Sequence, residues 1–265
     1  MRLNLHEWGD PAAPPLVCLH GVTADGARFQ RLAEERLARF RVLAPDLRGH
    51  GFSDWEPPWD LDTHVGDLLE TLDSAGVERS PILGHSFGGR LALELAARQP
   101  ERVECLLLLD PAIWVPPPIA LDRADRIRPD TSFRSVAAAV EWRLGQGTAR
   151  TPRRVLEEEL PSHLEQGDDS RWRFRFSRSA VVAAYGELAK PPPLERVSVP
   201  ILLVRAADSE VVPEVLVDVF VASLPAAEVV VVPGGHVVMW DAFDEAADAI
   251  QAFLARCAGV PPAPV

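Results

Sequence analysis

The sequence predicts an α/β fold: a mostly parallel, twisted sheet with helices on both faces and an inserted helical cap. Three observations carry that prediction. Short apolar runs recur near both ends of the chain, most of them continuous rather than alternating, and the stretches between them carry apolar residues at helical spacing. A continuous run suits a strand covered on both faces, and strands that alternate with helices make a parallel sheet.

Predicted strands cover residues 16–19, 42–44, 81–83, 103–109, 201–204 and 229–232. Predicted helices cover 62–75, with Val65, Leu68, Leu69 and Leu72 on one face, 88–98, and 241–256, with Ala246, Ile250, Phe253 and Leu254 inward. The middle breaks this rhythm. From residue 113 to 190 no strand-like run occurs, and weaker helical patterns fall near 133–144, 152–160 and 171–189. Proline triplets at 116–118 and 191–193 read as stiff hinges at the segment's two ends. The expected organisation is an α/β core over 1–112 and 191–258, a helical cap or lid over 113–190, and a frayed tail over 259–265.

Composition sets limits. The chain has 265 residues, 39 acidic against 27 basic, for a formal charge of −12, with 47% apolar residues. That balance opposes nucleic-acid binding, which needs a basic face. No apolar run reaches the roughly 18 residues a membrane span needs, and the first residues lack the pattern of a signal peptide. A cytoplasmic protein without membrane association is expected, and its oligomeric state is left open. The three cysteines, Cys18, Cys105 and Cys257, have no metal-like spacing and read as buried reduced thiols. No metal or organic cofactor is implied. Among 27 cations there is one lysine, Lys190, and Asn4 is the single asparagine. This composition suits a heat-stable protein, and a GC-rich genome gives the same bias.

Chemistry is concentrated at three points. Residues 80–89 read SPILGHSFGG, so a buried strand runs into G-x-S-x-G and a helix follows at once. That strand–turn–helix setting holds Ser86 at a helix N-terminus, as in a nucleophile elbow. A serine needs a base, and His236 follows a predicted strand and Pro233-Gly234-Gly235. His85 reads as packing beside the turn. The base needs a carboxylate, and Asp208, just past the strand at 201–204, is the leading candidate in the chain order Ser86, Asp208, His236. Asp110, at the end of the run 103–109, is the rival. The backbone N–H groups of Phe87 and Val22 are the candidate oxyanion hole, with His20 bracing the Val22 loop.

Four motifs together resemble the α/β-hydrolase superfamily, in its small cap-bearing serine esterase and lactonase branch: L19-H-G21, D46-L-R-G-H-G-F-S-D54, G84-H-S-F-G-G89, and P233-G-G-H236 with Asp241 following. The resemblance spans most of the chain outside the cap. It implies Ser86 as nucleophile, His236 as base, Asp208 as acid, and the Val22 and Phe87 amides as oxyanion hole. Two features depart from the family pattern. The N-terminus has room for one strand before Leu16, and the cap sequence matches no assignable relative. Branches that attack with an aspartate are disfavoured, because position 86 is serine.

Weaker signals lie in the cap. Residues 171–178 interleave arginines with Trp172, Phe174 and Phe176. They read as a surface for an anionic acyl group, or as a solvated helix with its aromatics packed inward. Trp55, Trp59, Trp114 and Trp142 are candidates for a pocket lining or for plain packing, and Glu157, Glu158 and Glu159 for an exposed face. The expected activity is hydrolysis of a small-molecule carboxylic ester or lactone through an acyl-enzyme. The alternatives are carbon–carbon hydrolysis of a vinylogous diketone by the same triad, and a slow-turnover ligand sensor.

Overall fold

The structure is a computed structural model, and residues 1–145 and 150–258 are described; the expected tail at 259–265 lies outside them. The first part of the chain forms β1 (Leu5–Trp8), β2 (Pro15–Leu19), α1 (Gln30–Arg36), β3 (Arg41–Pro45), α2 (Leu61–Ser74), β4 (Ser80–His85), α3 (Phe87–Arg98) and β5 (Val103–Leu109). The middle forms α4 (Pro117–Ile127), α5 (Val136–Leu144), α6 (Arg153–Glu159), β6 (Leu164–Gln166), β7 (Trp172–Phe174) and α7 (Arg178–Leu188). The last part forms β8 (Ile201–Ala206), α8 (Glu214–Ser223), β9 (Glu228–Val232), α9 (Val238–Asp241) and α10 (Phe243–Cys257).

Seven strands make one sheet in the order β1-β3-β2-β4-β5-β8-β9. Every pairing is parallel except that of β1 with β3. The continuous apolar runs have a direct cause. In β5, Leu106 and Leu108 enter a core on one face, beneath α2 and α3. Cys105, Leu107 and Leu109 enter the core on the other face, beneath α1 and α10. A strand that alternates between two cores needs an apolar residue at every position. Strand β9 departs from that expectation. It lies at the edge, and Val229 and Val231 are exposed.

In the middle, the expected helix over 171–189 is two elements. Residues 172–174 pair antiparallel with 164–166, and only 178–188 is helical, capped by Ser177 Oγ, which accepts from Ala180 N. Two residues of the triplet at 116–118 lie in helix rather than in a linker. Pro117 starts α4, because proline costs little in a helix's first turn, where its missing N–H has no helical partner. Arg90 on α3 holds both ends of this segment together. Its guanidinium donates to the carbonyls of Ile113, Lys190 and Pro191 at 2.9 Å, and its Nε donates to Glu94 at 3.0 Å.

Cys105 and Cys257 are paired in a disulfide between β5 and α10, which corrects the expectation that they are reduced thiols, and Cys18 is free and buried. Among the described residues, no helix is long and apolar enough to cross a membrane.

Candidate active site

Strand β4 delivers Ser86 to the carboxyl edge of the sheet. Its backbone takes φ 55° and ψ −118°, a left-handed conformation that costs a non-glycine residue about 1–3 kcal/mol. The strain is held by packing around the turn. A Cβ on Gly84 would lie 2.4 Å from the Gly88 carbonyl oxygen, and one on Gly88 would lie 2.0 Å from that of Leu19. Only glycine permits β4, α3 and β2 to close this tightly.

The loop after β2 lies against the serine. A Cβ on Gly21 would sit 3.4 Å from Ser86 Oγ. The D-L-R-G-H-G motif fixes that loop from below. His20 Nδ1–H donates to Gly21 O (2.8 Å) while its Nε2 accepts from Leu47 N (2.9 Å). Burial drives the His20 pKa down to about 3, so the ring is a neutral brace. His50 Nε2–H donates to the Val22 carbonyl at 2.9 Å. Asp46 accepts from the N–H groups of Gly26 and Phe52 and bonds His6. Burial opposes the Asp46 charge, but the His6 hydrogen bond, the His6 charge and the two amides outweigh it and hold the carboxyl well below the usual range. Among the described residues, the backbone N–H groups of Val22 and Phe87 donate to no protein group.

His236 follows β9. Its Nδ1 lies 2.7 Å from Asp110 Oδ2. The candidate Asp208 is therefore not its partner. Asp208 is half exposed and ion-paired with Arg150, while its N–H donates to Gly234 O. Asp110 is fully buried at the end of β5, with its backbone at φ 39°. Its Oδ1 accepts from Ala206 N (2.9 Å), and its Oδ2 also accepts from Ser209 Oγ (2.6 Å). The physical reason is register. His85 pairs with Leu109, so Ser86 and Asp110 leave adjacent strands side by side.

His85 lies beside His236. Its ring centroid is 4.8 Å from that of His236, and its Nε2–H donates to His236 O at 3.0 Å. Burial, then the His236 charge, push the His85 pKa well below the ordinary value. The His236 loop has its own support. Asp241 Oδ2 accepts from Gly235 N (2.7 Å), and its other oxygen accepts from Thr151 Oγ1. No hydrogen bond joins Ser86 Oγ to His236 among the described residues. Such contacts are commonly loose without substrate and tighten in the complex.

A model of the alpha/beta hydrolase fold family matches residues 14–243. The chain belongs to the α/β-hydrolase family. This hydrolase is 34% identical over 204 residues to lipase LipV of Mycobacterium tuberculosis, an alignment covering 77% of this chain and 78% of that protein. It is 26% identical to esterase YbfF of Escherichia coli, over 91% of this chain and 92% of that one. The crystal structure of E-2-(acetamidomethylene)succinate hydrolase superposes with a TM-score of 0.86 at 25% identity, over 95% of this chain and 94% of that one.

The weaker sequence candidates fall into place around the hydrolase core. Arg171 donates to Ser132 O and Oγ, Arg173 to Asp130 and Asp169, and Arg178 pairs with Asp130. Arg175 donates to Ser162 O and lies over Phe52. Arg171, Arg173 and Arg178 stitch the middle segment together, and Arg175 also ties it to Phe52. Trp142 packs with Phe133 and Phe174, and Trp114 Nε1–H donates to Ala189 O at 3.1 Å. Trp55 is partly exposed and Trp59 is half-buried. Glu157 and Glu158 are exposed, whereas Glu159 is half-buried. Sequence reasoning missed Ser209 and Thr151. Short hydroxyls next to the candidate Asp208 and inside the middle segment give no periodic signal.

Proposed function

We propose that this hydrolase cleaves carboxylic esters, lactones included, through an acyl-enzyme intermediate, with Ser86, His236 and Asp110 as its triad. The observation that carries the reading is the 2.7 Å bond from His236 Nδ1–H to the buried Asp110 carboxylate, on the strand beside the Ser86 elbow. That bond fixes the tautomer with Nε2 free to accept a proton. Asp110 replaces Asp208 as the acid.

Ser86 Oγ attacks the ester carbonyl while His236 Nε2 takes its proton. The carbonyl oxygen becomes an oxyanion, received by the unpartnered amides of Phe87 and Val22. Collapse expels the alcohol, which leaves with the proton from His236. Water then attacks the acyl-enzyme with the same base, and Ser86 is regenerated with its proton. Each oxyanion donor contributes about 3 kcal/mol to such a transition state. Residues 113–190 act as the cap that encloses the acyl group, and their anchorage by Arg90 supports that role. The lipase and esterase names among the relatives point the same way.

The test is p-nitrophenyl acetate turnover. Ser86→Ala abolishes it if the reading holds, and unchanged turnover refutes it. The carbon–carbon reading loses its argument from residues 171–178, because the arginines offered for its second acid group are engaged with Asp130, Asp169, Ser132 and Ser162.

A further inference from the structure

Arg28 stands on the short helical turn Gly26–Phe29, just past the Val22 loop. It is 4% exposed, yet its Nε has no hydrogen-bond partner, and among the described residues no ion pair reaches its guanidinium. The group lies over the Trp240 ring, 3.9 Å from its centroid. Trp240 is four residues past His236. A cation–π contact alone does not return what burying an unpaired ion costs. The nearby carboxylates do not make up the difference. Asp25 Oδ1 is committed to His163 Nδ1 (2.8 Å) and Ala27 N (3.1 Å), and Glu159 forms no ion pair with Arg28. Burial, then the buried Arg143, push the Arg28 pKa down to about 9, and Asp25 and Glu159 only partly oppose this.

Arg28 is not alone. His163 comes from the middle segment and is buried, with its Nδ1–H on Asp25 and its Nε2 without a partner. His85, adjacent to Ser86, is buried with its Nδ1 unpartnered. The Arg28 charge acts on both rings. Three buried nitrogens with unmet hydrogen bonding thus belong to the turn after the Val22 loop, the Ser86 elbow and the middle segment. Native interiors leave few such groups, and a cluster of them beside a reaction centre marks a ligand's place.

We propose that Arg28 binds a carboxylate carried by the substrate, with His163 Nε2 as a second contact, so that the preferred substrates are half-esters of dicarboxylic acids or carboxylated lactones. The inference rests on the ester-hydrolase reading. A guanidinium fork matches a carboxylate with two parallel hydrogen bonds. A planar guanidinium paired with one imidazole donor suits the two oxygens of a carboxylate. The imidazole of His163, already oriented by Asp25, gains a proton and donates from Nε2 when the anion arrives.

The test compares monoethyl glutarate with ethyl pentanoate, an ester of similar length without the acid. The parent enzyme is expected to prefer the half-ester at least tenfold in kcat/KM. Arg28→Met should cut that ratio tenfold or more, and Arg28→Lys should retain much of it. A ratio near one in the parent, or a ratio unmoved by Arg28→Met, overturns the proposal. The ratio cancels any general damage to the enzyme. Glutarate binding to Ser86→Ala, followed by calorimetry and tryptophan fluorescence, is independent of turnover. Binding that disappears on adding Arg28→Met supports the site even if no ester is cleaved, in which case the ester reading alone fails. Binding that survives Arg28→Met, or absent binding in Ser86→Ala, overturns the site.

Discussion

His236 Nδ1 and Asp110 Oδ2 lie 2.7 Å apart, although 126 residues separate them in sequence. Asp110 follows β5, directly beside the strand that carries Ser86, whereas Asp208 follows β8. Asp110→Asn should therefore lower kcat for p-nitrophenyl acetate by roughly 10³–10⁴, the effect of leaving the base in the wrong tautomer. Asp208→Asn, which removes a half-exposed partner of Arg150, should change kcat less than threefold, about 0.7 kcal/mol on the usual rate scale. Steady-state kinetics of the two variants, side by side, decides between the carboxylates.

The elbow predicts a sharp contrast between two glycines. Gly88→Ala would drive a methyl group to 2.0 Å from the Leu19 carbonyl oxygen, a backbone atom that cannot yield. The variant should lose more than about 3 kcal/mol of stability or fail to fold. Gly66, within α2, has nothing within 4 Å of its added Cβ, and Gly66→Ala should stabilise by roughly 0.5–1 kcal/mol through helix propensity. Thermal unfolding of both variants tests this.

Arg90 should prove worth far more than its neighbour Arg98. It is 1% exposed and gathers the carbonyls of Ile113, Lys190 and Pro191, so Arg90→Met leaves three buried acceptors and Glu94 without it. A loss of about 3–5 kcal/mol is expected. Arg98→Met, at a more exposed pair, should cost no more than about 1 kcal/mol. Hydrogen exchange should accelerate at residues 112–116 and 188–193 in the first variant alone.

Stability should fall in mild acid. Burial lowers the pKa of His20 to about 3 and of His64 to about 4, and it lowers those of His50, His85 and His163 as well. An unfolded histidine takes its proton near pH 6.5, while these folded ones resist until much lower. Stability is thus whole above pH 6.5 and drains as pH falls toward the folded values, at about 1.4 kcal/mol per pH unit for each ring. His6 runs the other way: burial lowers its pKa, but Asp46 outweighs that and raises it. One ring against five leaves a net loss. Urea unfolding should give a markedly lower midpoint at pH 5.0 than at pH 7.5, and equal midpoints would contradict the assignment.

Much of the fold was legible because it rests on strong patterns. Strands β2, β3, β4, β5, β8 and β9 are the continuous runs, and α2, α3 and α10 are the periodic ones. Strand β1 is legible only as room for one strand before Leu16, and helix α1 is not legible, since four- and seven-residue elements carry too few periods to stand out. Helix α8 has exposed valines at 215 and 219, which blur its apolar face. The alternation W-R-F at 172–174 was taken for helix because strand pairing with 164–166 is a tertiary fact. At the site, Ser86 and His236 announce themselves by local turns. The choice of carboxylate does not. Asp110 and Asp208 each end an apolar run, and what separates them exists only in three dimensions: Asp110 is buried and 2.7 Å from His236 Nδ1, whereas Asp208 is half exposed and paired with Arg150. Arg28 was invisible for the same reason, because an arginine's missing partner exists only in three dimensions.

The most direct measurement is labelling with a fluorophosphonate probe, followed by mass mapping of the modified peptide. A single adduct on Ser86 is expected, formed at least a hundredfold more slowly in Asp110→Asn and at near-parent rate in Asp208→Asn. An adduct on another residue, or a rate that Asp208→Asn slows and Asp110→Asn does not, would contradict it.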